Sequence, residues 1–258
     1  MCELLGMSFN QPVRINYSLR GFIHRGERNP DGWGLAWYPD GSKSAQVIKE
    51  ALPATTSPIA DFIKGYPLLN SPIYISHVRY ATSEVCYDNT HPFQRHLRGR
   101  VYTFAHNGSL TLDRGSDLTG KWKPVGTTDS EYALCYLMNV IEQVPRWSYF
   151  GYCRLEEAMQ EVNEWGKFNC LLSDGEYLFC YRDKDGRGGL SYTHRQAPFD
   201  RIRMQDEDLE IDLGTEKPKD EEGYIVATRP LTDEAWTDLK PGHLVVFLHG
   251  EMIYPRKN

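Results

Sequence analysis

A cysteine stands at position 2, behind an initiator methionine that a small second residue generally allows to be removed. An N-terminal Cys2 would carry a nucleophile and its base on one residue. An α-amine with a pKa of roughly 7.7–8.0 is neutral often enough to take the thiol proton. Taken alone, a cysteine opening an apolar run reads more simply as a small buried hydrophobe. In Ile73-Tyr74-Ile75-Ser76-His77-Val78-Arg79-Tyr80, alternation puts Ile73, Ile75, His77 and Arg79 on one face, an apolar floor ending in a guanidinium that could clamp a carboxylate through two parallel hydrogen bonds. The plainer alternatives are an arginine emerging to solvent and a hydrogen-bonded structural His77. Asn107-Gly108 ends another strand-like run. That dipeptide favours a tight turn, and it could equally supply an oxyanion hole from the Asn107 amide and the Gly108 N–H. Asp129 opens a helical pattern, where it either complements the helix dipole or binds a substrate ammonium. Nucleophile, base, oxyanion donors, carboxylate clamp and ammonium acceptor together suit attack on the side-chain amide of a glutamine or γ-glutamyl group.

These residues need elements to hold them. Apolar content predicts a strand over Cys2–Phe9 and a helix over Asn16–His24 ending near Gly26. Gly34–Tyr38 and Ala45–Glu50 read as strands joined at Asp40-Gly41, followed by a short helix at Ile59–Ile63. Further strands are expected at Ile73–Tyr80 and Arg100–His106. Thr128-Asp129-Ser130-Glu131 has capping-box spacing ahead of a helix with Ala133, Leu134, Leu137 and Ile141 at helical intervals. A second helix follows at Leu155–Trp165, then strands at Phe168–Ser173 and Glu176–Arg182 across Asp174-Gly175, and about four more. Strands, two helices and strands again indicate an α+β chain rather than regular βαβ alternation. No repeat or low-complexity linker divides it, so residues 1–258 are expected to form one domain.

The motifs occur in an order that resembles the class II glutamine amidotransferases, N-terminal-nucleophile (Ntn) hydrolases that begin with cysteine. The matching pieces are Met1-Cys2-Glu3-Leu4-Leu5-Gly6, His24-Arg25-Gly26, Asp31-Gly32-Trp33-Gly34 and His77-Val78-Arg79-Tyr80-Ala81-Thr82. They continue through Thr90-His91-Pro92-Phe93, Phe104-Ala105-His106-Asn107-Gly108, Gly126-Thr127-Thr128-Asp129-Ser130-Glu131 and Phe168-Asn169-Cys170-Leu171-Leu172-Ser173-Asp174-Gly175. The set is similar above all to the stand-alone YafJ-type subgroup. The resemblance implies a four-layer αββα sandwich of two antiparallel sheets between helices. It implies Cys2 as nucleophile, Asn107 and Gly108 as oxyanion hole, Arg79 and Thr82 as ligands of the substrate α-carboxylate, and Asp129 as ligand of the α-amine. Arg25 and Gly26 match a loop supporting the site. Trp33 and His91 fall in matched motifs too, and packing or hydrogen bonding is their expected part. At 258 residues no synthetase or phosphosugar domain is expected on the same chain, so ammonia would pass to a separate accepting subunit or an amide would simply be hydrolysed.

Composition narrows the partners. The net charge of -6 is concentrated in Gln205–Gly223, where nine acids face Lys217 and Lys219. That segment is expected at the surface, outside the catalytic centre. Lacking a basic stripe, the chain is not expected to bind nucleic acid. No stretch of about 20 apolar residues predicts a membrane helix, and the N-terminus lacks a secretory pattern, so a cytoplasmic location is expected. The six cysteines form no CxxC pair; Cys135, Cys170 and Cys180 lie in apolar stretches and are expected to be buried. No cofactor is required by the reaction, and a metal site at His77, His91, His96 or His106 is disfavoured for want of HExxH or similar spacing. The competing reading is a non-catalytic amino-acid-binding or regulatory subunit on the same fold.

Overall fold

The computed structural model describes residues 2–111 and 120–255. The chain begins with β1 (Glu3–Arg14), α1 (Asn16–His24), β2 (Trp33–Trp37), β3 (Gln46–Glu50), α2 (Pro58–Gly65) and β4 (Asn70–Val78). It continues with β5 (Phe93–Leu97), β6 (Arg100–Leu110), α3 (Asp129–Gln143), α4 (Tyr149–Glu164), β7 (Gly166–Ser173) and β8 (Tyr177–Tyr181). The remainder is β9 (Ser191–Arg195), β10 (Arg201–Arg203), β11 (Glu210–Asp212), α5 (Leu213–Glu216), β12 (Gly223–Ala227), β13 (Thr237–Asp238), β14 (Leu244–Leu248) and β15 (Glu251–Tyr254).

Two antiparallel sheets are built from these strands. One runs β13-β9-β12-β1-β4-β2-β3, the other β15-β14-β8-β7-β6-β5, and β10-β11 form a separate ribbon. Side-chain alternation then decides what each face covers. In β1, Leu5, Met7 and Phe9 pack with Leu19, Phe22 and Ile63 of the first two helices, whereas Leu4 points the other way. In β6 and β7, Phe104, Phe168, Cys170 and Leu172 meet Leu134, Leu137 and Leu155 of α3 and α4. Between the sheets, Leu4 and Ile75 from one meet Ala105, Leu171, Leu178 and Val245 from the other. The result is the αββα sandwich. It also explains why Cys2–Phe9 reads as a continuous apolar run: β1 is buried on both faces.

Local chemistry sets the helix starts. Ser57 accepts a hydrogen bond from the Ala60 N–H ahead of Pro58, and Thr128 accepts one from the Glu131 N–H at 3.1 Å. The capping box at α3 is half-formed. Instead of returning to Thr128, the buried Glu131 carboxylate accepts from the Gly126 N–H at 2.7 Å and from Arg95 at 2.6 Å. The β2–β3 pair forms as expected, with Asp40 and Gly41 at positive φ in the connection. Seven strands rather than about four follow β8, because β10, β11 and β13 span only two or three residues each. Cys135, Cys170 and Cys180 are buried.

One expectation is corrected. Asn107-Gly108 is not a turn. β6 continues to Leu110, with Asn107 opposite Asn169 and Gly108 opposite Phe168. Glycine is required at 108 by close approach, since a Cβ there would lie 1.8 Å from the Lys167 carbonyl oxygen.

Candidate active site

Register and parity bring the chemistry together. β1 and β4 are antiparallel with Glu3 opposite Val78 and Leu4 opposite His77, so Cys2 falls beside Arg79. Leu4, Ile75 and Ala105 all enter the inter-sheet layer. Cys2, Arg79 and Asn107 lie an even number of residues from them and therefore share that face, at the end of the sheets where β1 begins.

The Cys2 sulfur sits between both backbone groups of Tyr80. The Tyr80 N–H donates to it and the thiol donates to the Tyr80 carbonyl, each at 3.3 Å. Burial pushes the thiol pKa up, outweighing the Tyr80 hydrogen bond and the nearby Arg79 charge that favour the thiolate. Removal of Met1 lies outside the described residues.

Arg79 is 3% exposed. Its Nη2 donates to Ser83 Oγ at 2.9 Å and to the Glu84 carbonyl at 3.1 Å, while Nη1 is buried without a partner among the described residues. Burial lowers the guanidinium pKa, and Cys2, Asp31, Cys86 and Asp129 oppose that shift, which sets Asp129 in its electrostatic neighbourhood. Asp129 opens α3 and is half-buried. Its Oδ2 accepts from the Leu110 N–H at 2.6 Å, and Oδ1 accepts from the Ser130 N–H at 2.8 Å. This ties the helix start to the end of β6, three residues past Asn107. Among the described residues, no lysine or arginine pairs with Asp129.

Asn107 is buried, and its side-chain amide makes no hydrogen bond to the described residues. Its backbone carbonyl accepts from Asn169 Nδ2 at 3.3 Å, and the same nitrogen donates to the Arg187 carbonyl at 2.8 Å. Asn169 Oδ1 in turn accepts from the Asp183 N–H at 3.0 Å. Lys167, on the same face of β7 as Asn169, has its pKa lowered by burial, with Asp183 and Cys2 acting against the shift.

Other expected residues take different places. Thr82 is exposed on the loop just after Arg79. Arg25 is buried with every donor pointed at protein: Nε to Asp206 at 2.8 Å, Nη1 to Glu3 at 3.4 Å and the Arg229 carbonyl at 3.0 Å, and Nη2 to the Pro230 carbonyl at 2.7 Å. Gly26 packs on Ala54, where a Cβ would come within 3.1 Å of the alanine Cβ. Trp33 donates to Glu50 at 2.9 Å. His77 is not the hydrogen-bonded histidine expected. Its ring lies 4.2 Å from that of His91, and both nitrogens of each are buried without partners among the described residues. Burial lowers the His77 pKa to about 3. His106, by contrast, faces α3 and meets Ser130 Oγ at 2.8 Å and the Lys167 carbonyl at 3.1 Å. Among the described residues, no group of three or more His, Cys, Asp or Glu side chains is arranged to hold a metal.

The supporting shell escaped the sequence reading. Glu3, one residue after the nucleophile, accepts from Arg229 Nε at 2.8 Å and from the Thr228 hydroxyl as well as from Arg25. A carboxylate inside an apolar strand had to find such partners, and that was the available signal. Through Asp206 the acidic Gln205–Gly223 segment reaches this shell, although Asp208 and Glu210 point to solvent.

Comparison with known proteins matches residues 1–257 to the family model for class-II glutamine amidotransferases. An uncharacterized protein of Methanocaldococcus jannaschii is 45% identical over all of this chain and 72% of its own length. YafJ of Escherichia coli, a candidate glutamine amidotransferase, is 38% identical over 98% of this chain and 100% of its own. The crystal structure of a predicted glutamine amidotransferase from Pseudomonas aeruginosa superposes with a TM-score of 0.72 at 33% identity, covering 98% of this chain and 99% of that one. The Bacillus subtilis glutamine phosphoribosylpyrophosphate amidotransferase shares the fold alone, with a TM-score of 0.61 at 18% identity over 97% of this chain and 48% of its own.

Proposed function

The chain belongs to the class II glutamine amidotransferases, and we propose that it cleaves the side-chain amide of glutamine or of a γ-glutamyl compound through a γ-glutamyl thioester on Cys2. What supports this reading most is the convergence of Cys2, Arg79 and Asn107 on one end of the inter-sheet layer, with the Arg79 Nη1 buried and without a partner among the described residues. A buried guanidinium nitrogen without a partner costs free energy that a substrate carboxylate would recover.

Burial keeps the Cys2 thiol protonated at neutral pH, so attack needs a base. With Met1 removed, the Cys2 α-amine takes the thiol proton as sulfur adds to the amide carbonyl. The oxyanion is met by the Asn107 amide and the Gly108 N–H. The resulting α-ammonium protonates the departing ammonia or amine, and water hydrolyses the thioester. Arg79, with Thr82 beside it, orients the substrate α-carboxylate, and Asp129 receives the α-ammonium. Arg25 and Gly26 act one layer back. Arg25 holds Glu3 and so the start of β1, and Gly26 lets the turn after α1 lie against Ala54. Residues 1–258 work as one glutaminase unit. Ammonia either leaves to solvent or passes to a separate subunit.

The test is a turnover screen of mature protein with glutamine, γ-glutamyl dipeptides and γ-glutamyl thiols, with acid-quenched samples searched by mass for a glutamyl adduct on Cys2. Turnover together with the adduct is expected. Neither product nor adduct from protein confirmed to begin at Cys2 would leave an amino-acid-binding subunit instead.

A further inference from the structure

We infer that Asn89 is a positioning residue that fixes the distance between the two substrate anchors, Arg79 and Asp129; the inference rests on the anchoring roles proposed above. Asn89 is 1% exposed and lies in the loop between β4 and β5. Its single carboxamide joins the loop after β4 to the segment that leads into α3. Nδ2 donates to the Glu84 carbonyl at 3.2 Å, the same oxygen that receives Arg79 Nη2 at 3.1 Å. Its second proton goes to Thr127 Oγ1 at 3.1 Å, and Oδ1 accepts from the Thr127 N–H at 2.8 Å. Thr127 immediately precedes Thr128, the N-cap of α3, and Asp129, its first residue.

The contact is tight as well as fully hydrogen-bonded. A Cβ on Gly126 would lie 2.4 Å from Asn89 Oδ1, so glycine there allows the second loop to close on the carboxamide. A glutamyl ligand carries its α-carboxylate and α-ammonium on one carbon. It engages both anchors only if their separation is held to within about 0.5 Å. Asn89 touches neither substrate group. Its contribution is the spacing.

Spacing has its own signature: it matters only to a ligand that must satisfy both anchors at once. In Asn89→Ala the KM for glutamine should rise about tenfold while kcat stays within about threefold. Two half-ligands serve as competitive inhibitors of turnover. Glutaramate keeps the carboxylate and lacks the amine, and 4-aminobutanamide keeps the amine and lacks the carboxylate. Each should bind the variant within about threefold of wild type, because one anchor alone can adjust to its ligand. A glutaramate constant that rises as far as the glutamine KM would reduce Asn89 to a prop for Arg79 and overturn the inference. So would an unchanged KM, or a loss confined to kcat. Should Asn89→Ala not fold, Asn89→Ser carries the same comparison, since it stays uncharged and its side chain is too short to reach both the Glu84 carbonyl and Thr127. Wild-type protein that turns over no glutamyl amide, or that neither half-ligand inhibits, would instead sink the two-anchor site itself.

Discussion

Asn107 is the residue at which binding and turnover should separate most cleanly. Its amide makes no hydrogen bond to the described residues, while its backbone is held by Asn169 and the β6–β7 ladder. Asn107→Ala should therefore leave the strand in place and remove one donor to the developing oxyanion. The expected loss is about 2.7–4 kcal/mol of transition-state stabilisation, read as a large fall in kcat with KM little changed. Steady-state kinetics on a variant shown to be folded checks this, and wild-type kcat would exclude Asn107 from the reaction. At this scale alternation placed His77 and Arg79 on one face, whereas the roles expected of Cys2, Asn107 and Asp129 came from the ordered motifs rather than from parity. The turn reading of Asn107-Gly108 failed because a dipeptide preference is local, whereas the Lys167 carbonyl that demands glycine at 108 comes from another strand. Arg229 and Thr228 were invisible as partners of Glu3 for the same reason: more than 220 residues separate them.

Among the elements, β4, the loop leading into β5, and β6 bring three buried histidines close to the site, His77, His91 and His106, and burial lowers the pKa of each. A histidine whose folded pKa lies below its unfolded value of about 6.5 binds a proton more readily when unfolded. Stability is then complete above about pH 6.5 and is lost as pH falls, by at most about 1.4 kcal/mol per pH unit for each histidine until its folded pKa is reached. For His77 that point is about 3. Between about pH 6.5 and 4.5, above the ordinary carboxylate range, these rings should dominate the acid limb. His91→Phe, which keeps a ring against His77 and Phe93, should flatten that limb in denaturant titrations. An unchanged slope would mean that His91 does not take up a proton on unfolding in this range. The long buried strands were readable from their apolar runs. The short ones were not, because β10, β11 and β13 offer too few residues for a period to show.

For the whole molecule the decisive variable is the state of the N-terminus. If the Cys2 amine is the base, retention of Met1 turns that amine into a non-basic amide. An N-terminally extended protein should then fold and show the same thermal unfolding, yet release no glutamate. A matched sample beginning at Cys2 should turn over. Intact mass and glutamate release on the same preparations decide it, and full activity with Met1 quantitatively retained would falsify the N-terminal-nucleophile reading. The layered architecture itself could not be read from periodicity, since alternation tells which residues share a face but not which sheet that face meets. Only the ordered motifs pointed to a sandwich.

β1 lies in the middle of its sheet, between β12 and β4, and Glu3 is fastened to Thr228 and Arg229. That geometry imposes a timetable on synthesis. β1 can pair with β4 once residue 78 is made, but residues 223–229 must emerge before the cysteine's strand is enclosed on both sides. Throughout that interval the edge of β1 that will face β12 stays unpaired, so the last strand added to the middle of the sheet is made about 150 residues after β4.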